Sequence, residues 1–176
     1  MSDSKKTVSV THIDYSHMEG GLVRMMDRFK KEGTLTGEVD ADDVLRESPA
    51  AALLGLLYDQ RMRAEFAFTG PIRLKERLGH LDFPQIAEMD LERLREVFAE
   101  QPAVHRFTNK MAEYTQGVAR LVTEKYDGDP ARMWNDGADF PTIEKRMREL
   151  PGFGRQKAAK MKYVLHYFGH RDFSGA

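Results

Sequence analysis

Gly152, Phe153 and Gly154 stand between two stretches of helical spacing, in "ELPGFGRQKAAKMKYVL" (149–165), and Arg155, Gln156 and Lys157 follow at once. Two glycines let a turn adopt backbone angles and close approaches that a Cβ would block. Phe153 between them can pack down and pin the flanking helices together. The first N–H groups of the second helix have no intrahelical acceptor and sit at the positive end of the helix dipole. Such a turn suits an anion, and phosphate above all. Amide contacts of this kind hold a phosphodiester without reading bases, and Arg155 and Lys157 supply matching charge. The six histidines show no spacing that would gather a zinc ion, so no metal ligand is expected from side chains.

The elements that must position this turn read as helices. Leu22, Met25, Met26 and Phe29 recur at three-to-four spacing in a first helix that ends near Gly33. Ser48 and Pro49 have the types of an N-cap and a first helical residue. The segment after them, "AAALLGLLYDQ", is apolar nearly all round through Leu57, as a helix in the middle of a bundle must be. A helix to Phe68 is expected to break at Gly70-Pro71 and resume to Leu78. Asp90 can cap a helix whose Leu91, Leu94, Val97 and Phe98 share one face. The longest helix is expected from about Val104 to Tyr126, opened by His105, Arg106 and Asn109 as first-turn residues. Trp134 lies in a short helical turn and loop and is expected to pack. Pro141 opens the helix before the glycine turn, and Ala158, Met161, Val164, Leu165 and Phe168 lie on the one after it. Only "KTVSVTHI" near the start alternates as a strand would. The prediction is an all-α bundle of seven or eight helices over 21–176, a single domain, preceded by a flexible or loosely packed segment over 1–20.

Composition narrows the function. The chain has 176 residues, 41% hydrophobic and 31% charged, an ordinary globular balance. It has no cysteine, which removes disulfides, thiolate metal sites, cysteine nucleophiles and cysteine-ligated iron–sulfur clusters. No apolar run is long enough to span a membrane, and none at the start has signal-peptide length, so no membrane partner and a cytoplasmic location are expected. The net charge of −1 is unevenly spread: 143–176 holds eight Lys/Arg and three acids, leaving 19 basic and 25 acidic residues elsewhere. A nearly neutral chain with one basic end is suited to a polyanion on that end.

"LPGFGRQKAAKM" resembles the helix–hairpin–helix of the DNA glycosylase superfamily, the endonuclease III-like group. "SPAAALLGLLYDQRM" is similar to the early buried helix of that family, and "HRFTNKMAEYTQGVARLVTEKY" to the helix before its hairpin. The resemblance runs from Ser48 to Gly169 and falls in family order. It implies a protein that bends duplex DNA, extrudes a damaged or modified base and hydrolyses its N-glycosidic bond. It implies double-stranded DNA as partner and a monomer close to the nucleoid. It also implies no cofactor, apart from a monovalent cation of the kind that hairpin carbonyls in the family can hold. The lysine that gives some relatives strand-cutting activity falls at Gln156, with Lys157 about 100° further round the helix, so the chain is expected to be monofunctional. The family's aspartate lies beyond the second hairpin helix. Asp172 is the expected catalytic carboxylate on that basis and Asp59 the reserve. Gln60 matches the residue pushed into the duplex, with Tyr58 and Asp59 lining the base pocket. The other reading is a DNA-binding module that keeps this fold without the chemistry, and a third is a protein–protein module.

Overall fold

The computed structural model describes residues 10–175, and among them nine α-helices and one 3-10 turn but no strand. The chain runs α1 (Gly21–Glu32), α2 (Val39–Glu47), α3 (Pro49–Tyr58), α4 (Ala64–Leu78), α5 (Phe83–Glu88), α6 (Leu91–Ala99) and α7 (Thr108–Tyr126). The 3-10 turn Pro130–Met133, α8 (Phe140–Arg148) and α9 (Arg155–Tyr167) complete it. Every residue of α3 after Pro49 is buried. Ser48 starts it as read, its Oγ accepting the Ala51 N–H at 3.0 Å. α3 packs against α2, α4, α9 and the 3-10 turn, while α5 and α6 lie on α7 and α8 lies on α9. A helix apolar on all sides reaches its lowest free energy only when walled in. Leu53, Leu54, Leu56 and Leu57 are each fully buried, an environment worth roughly 1.5–3 kcal/mol per side chain.

Gly55 lets α4 approach. A Cβ there would lie 2.4 Å from Cδ1 of Phe68, whose ring stacks on Phe168. Gly55→Ala is expected to lower stability by about 1–3 kcal/mol, the cost of overpacking a filled core. The urea midpoint measures it, and an unchanged midpoint would show that this contact yields freely.

Four stretches differ from expectation. α4 continues through Gly70-Pro71 instead of breaking. Pro71 has no N–H for the Ala67 carbonyl four residues back, and beside that gap the Phe66 carbonyl accepts from Thr69 Oγ1 and Arg73 Nη2, both at 3.0 Å. Side chains thus supply donors where the helix ladder is disturbed. α2 and α5 form where no helix was read; both are short. Residues 10–18, expected to be loosely packed, lie along α9 instead. Tyr167 Oη accepts from Ile13 N at 3.2 Å and donates to Ile13 O at 3.0 Å, and Tyr15 is buried with its Oη donating to Asp27 at 2.7 Å. Tyr163, Tyr167 and His166 provide the polar partners that this extended stretch requires. The first part of the "KTVSVTHI" reading lies outside the described residues. No described helix is long and apolar enough to cross a membrane.

Candidate nucleic-acid interface

The hairpin forms between α8 and α9 as the glycine spacing required. Gly152 has φ +85, and a Cβ on it would lie 2.6 Å from Leu57 Cδ1 and 3.1 Å from Tyr114. Both the left-handed backbone and the close approach demand glycine there. Phe153 is buried and fastens the turn to the core. Gly154 differs: its φ is −89, it is exposed, and nothing lies within 4 Å of where a Cβ would project. It is the N-cap of α9, and no side chain caps that helix. The first intrahelical bond is Ala158 N–H to Gly154 O at 2.9 Å. The N–H groups of Arg155, Gln156 and Lys157 therefore begin the helix without intrahelical acceptors, at the positive end of its dipole. Arg155 and Gln156 are exposed beside them.

The turn after α3 forms the facing wall. Asp59 ends α3, Gln60 N donates back to Tyr58 O at 2.8 Å, and Arg61 takes φ +55. This sharp reversal leaves Gln60 and Arg61 exposed while Asp59 is half-buried. Glu65 ties the start of α4 to α1 through Arg24 and Arg28, each at 2.8 Å. Burial pushes the Glu65 carboxyl up, but the hydrogen bonds from Arg24 and Arg28 outweigh it and hold it down to about 2.

The last carbonyls of α3 lack helical partners, and two distant residues supply them. Lys157 Nζ donates to Leu57 O at 2.8 Å. His105 Nδ1 accepts the Phe107 N–H at 2.9 Å, so its Nε2 carries the proton and donates to Tyr58 O at 2.8 Å. Burial holds His105 below the usual histidine range, favouring this neutral form. Lys157 thus places positive charge at the negative end of the α3 dipole.

Asp59, Gly154, Arg155, Gln156, Lys157 and Lys160 line a cleft of about 410 Å³ between the end of α3 and the start of α9. Burial pushes the Asp59 carboxyl up, and Lys160, Lys157 and Arg24 pull it back. Burial pushes the Lys157 ammonium down to about 8 against the attraction of Asp59, with Lys160 adding to the depression. The cleft therefore pairs a half-buried carboxylate with a half-buried amine, beside free helix-start amides.

No protein-family model matches the chain, and no curated protein sequence does. A solved structure does match: a trapped endonuclease III–DNA covalent intermediate, an estranged-adenine complex, with a TM-score of 0.53 and 17% identity over 85% of this chain. The chain has an endonuclease III-like fold. It spans 58% of the length of that endonuclease III chain.

Within the endonuclease III-like fold, the residues expected to act are only partly brought together. Gly152, Gly154, Arg155, Gln156 and Lys157 form the hairpin and its helix start, and Gln60 is exposed on the turn that follows Asp59. Asp172 lies elsewhere. It follows the far end of α9, a helix of 13 residues or roughly 20 Å. Its side chain is 72% exposed and 3.6 Å from His166 Nδ1. Hydrogen bonding from Ser174 holds its carboxyl below the usual range. Val10, Thr11 and Gly169 share its shallow cleft, which has no residue in common with the hairpin cleft. The Asp172 expectation is corrected on this ground, because the tail pairs with His166 and Arg171 reaches Trp134 O at 2.7 Å instead of folding back toward the hairpin.

Tyr58 is likewise not a wall of any open pocket. Its ring is fully buried against Phe98 and its Oη is 2.8 Å from Thr115 Oγ1. Lys157, expected to point away, enters the cleft because α3 ends where its ammonium can reach Leu57 O. Trp134 is buried at the core edge and not free to stack on a base. His17, Met18 and Glu19 were missed: they line a groove with α9, and no local sequence signal marked them. No group of three or more metal-ligating side chains occurs among the described residues.

Proposed function

We propose that this chain is a monofunctional DNA glycosylase, hydrolysing the N-glycosidic bond of a damaged or modified base in double-stranded DNA. The observation that carries this reading is the hairpin cleft, where an uncapped helix start suited to phosphate shares one depression with the Asp59 carboxylate. The likeness to an endonuclease III seen bound covalently to DNA supports the partner class. In the proposed reaction the bond from C1′ to the base breaks, and its electron pair leaves with the base, which takes up a proton. Water adds to C1′ and releases a proton to solvent. Asp59 stabilises the positive charge that builds on the sugar, Gly154 and the amides after it hold a backbone phosphate, and Gln60 enters the duplex.

Duplexes each bearing one modified base, assayed for alkali-labile abasic sites, test the reading. Conversion of one or more is expected. Binding of the whole panel with no conversion would establish the second reading, a DNA-binding module. The distance of Asp172 from the hairpin favours that alternative.

Base release is expected without strand cleavage. A lyase needs an amine that can form an imine with the sugar, and Gln156 has none. The Lys157 amine donates to Leu57 O and, with a value of about 8, stays mostly charged at neutral pH. Borohydride treatment during turnover should leave no covalent complex. An adduct that disappears in Lys157→Ala would replace this reading with a bifunctional enzyme.

A further inference from the structure

α2 and α4 pack on each other and leave an open groove of about 540 Å³ between them. Ala41 and Val44 step by three along α2, and Thr69, Ile72 and Glu76 step by three and four along α4, so each helix turns one face to the groove. Val39, Ala41, Val44 and Ile72 make its lining largely apolar. Val39 is 42% exposed at this groove, and Phe66, one turn before Thr69 on α4, is 38% exposed. These are the exposed large apolar side chains among the described residues. One such residue alone needs no explanation, but two beside the same depression mark a contact surface.

The charge of the groove has one sign. Glu38, Asp40 and Glu76 line it, all exposed, and no lining residue is basic. None of the three enters an ion pair among the described residues. Arg73 lies over the Phe66 ring at 3.9 Å, but its guanidinium is spent on Thr69 Oγ1 and on the carbonyls of Phe66 and Ala103. Three unpaired carboxylates repel a nucleic acid or an anionic lipid surface and attract a cation-bearing one. None of these residues lines the hairpin cleft.

We propose that this groove docks a basic amphipathic helix from a partner protein. Two packed helices present a furrow into which the side-chain ridge of a third can settle. Apolar side chains of the partner, one turn apart, lie on Val39, Val44 and Ile72, and its Lys or Arg residues on either side meet Glu38, Asp40 and Glu76. A second copy of this chain is a poor occupant. Its basic helix is α9, whose Ala158, Met161, Val164 and Leu165 are already buried, so it has no free apolar ridge to offer. The docking surface is separate from the DNA reading above and does not depend on it.

The test uses the full chain and a fluorescein-labelled helical peptide with leucines one turn apart on one face and lysines flanking them, against a scrambled peptide of the same composition. Fluorescence anisotropy is expected to show the amphipathic peptide binding about tenfold more tightly than the scrambled one, with the difference shrinking as salt screens the carboxylates. Val39→Ser and Glu76→Lys should each remove most of that preference. Both side chains are exposed, so the thermal midpoint should hold in each variant, and Val39→Ser should leave duplex affinity unchanged. Equal affinity for the two peptides would overturn the docking surface, as would full preference in both variants. A dimer of the wild-type chain in sedimentation that Glu76→Lys disperses would overturn it as well, because the groove would then be filled by a second copy.

Discussion

Asp59→Asn is expected to lower base release by about a hundredfold or more while changing duplex affinity by less than about threefold. Loss of one preorganised electrostatic group facing a developing charge costs on that scale, whereas threefold in affinity is under about 1 kcal/mol. Asparagine keeps the shape and removes only the charge. Asp59 shares the cleft with the helix start that is suited to phosphate, so a sugar held there would lie near it. The same pairing sets the pH dependence. Burial raises the Asp59 carboxyl, so its charge, and with it activity, is lost as pH falls through a value above the ordinary carboxylate range. On the alkaline side Lys157 gives up its proton near about 8, and the cleft loses the ammonium that faces Asp59. Single-turnover rates against pH should therefore show two limbs. Asp59→Asn should remove the acidic one. Unchanged release by Asp59→Asn together with loss in Asp172→Asn would return the catalytic role to the tail.

Alanine at the two hairpin glycines should weaken binding in both cases but lower stability at only one. Gly152→Ala meets a positive φ, which costs an ordinary residue roughly 1–2 kcal/mol, and a Cβ 2.6 Å from Leu57. With overpacking of about 1–3 kcal/mol added, destabilisation of roughly 3 kcal/mol is expected, and duplex binding should weaken because the turn is displaced. Gly154→Ala meets neither obstacle. Its φ is −89 and the space beyond it is open, so the urea midpoint should hold. Its methyl group would nonetheless stand where a phosphate must approach. Hydrogen bonds to a charged group contribute about 1.5–3 kcal/mol each. Gly154→Ala should thus weaken binding by roughly tenfold to a hundredfold, about equally for every sequence, since phosphate contacts carry no base information. The slope of affinity against salt should become shallower at the same time. Wild-type affinity in Gly154→Ala would remove the helix start from the interface.

What the sequence alone determined is local. The hairpin was legible because Gly152, Phe153 and Gly154 act within a few residues of one another, and a positive φ or an uncapped helix start is a property of the nearby backbone. The central place of α3 was legible because a helix apolar on every side has only one low-energy location, and Ser48 and Pro49 mark its start through bonds that reach three residues. α4 was legible in extent but not in continuity. The donors that satisfy the Phe66 carbonyl are the side chains of Thr69 and Arg73, and Arg73 is also anchored by Ala103 O from another part of the chain. The choice between Asp59 and Asp172 was not legible at all. It depends on α3 ending against the start of α9, a meeting between Leu57 and Lys157 across 100 residues of chain. Two carboxylates of the same type look alike in sequence. Only the packing of one helix end against another puts the first in the hairpin cleft, and only the bonds of His166 and Ser174 keep the second at the far end of α9. The groove at His17–Glu19 is the extreme case. Its walls come from an extended segment, α8 and α9, and no periodicity or local bonding in residues 10–19 indicates which helix they will lie against until Tyr163 and Tyr167 hold them there.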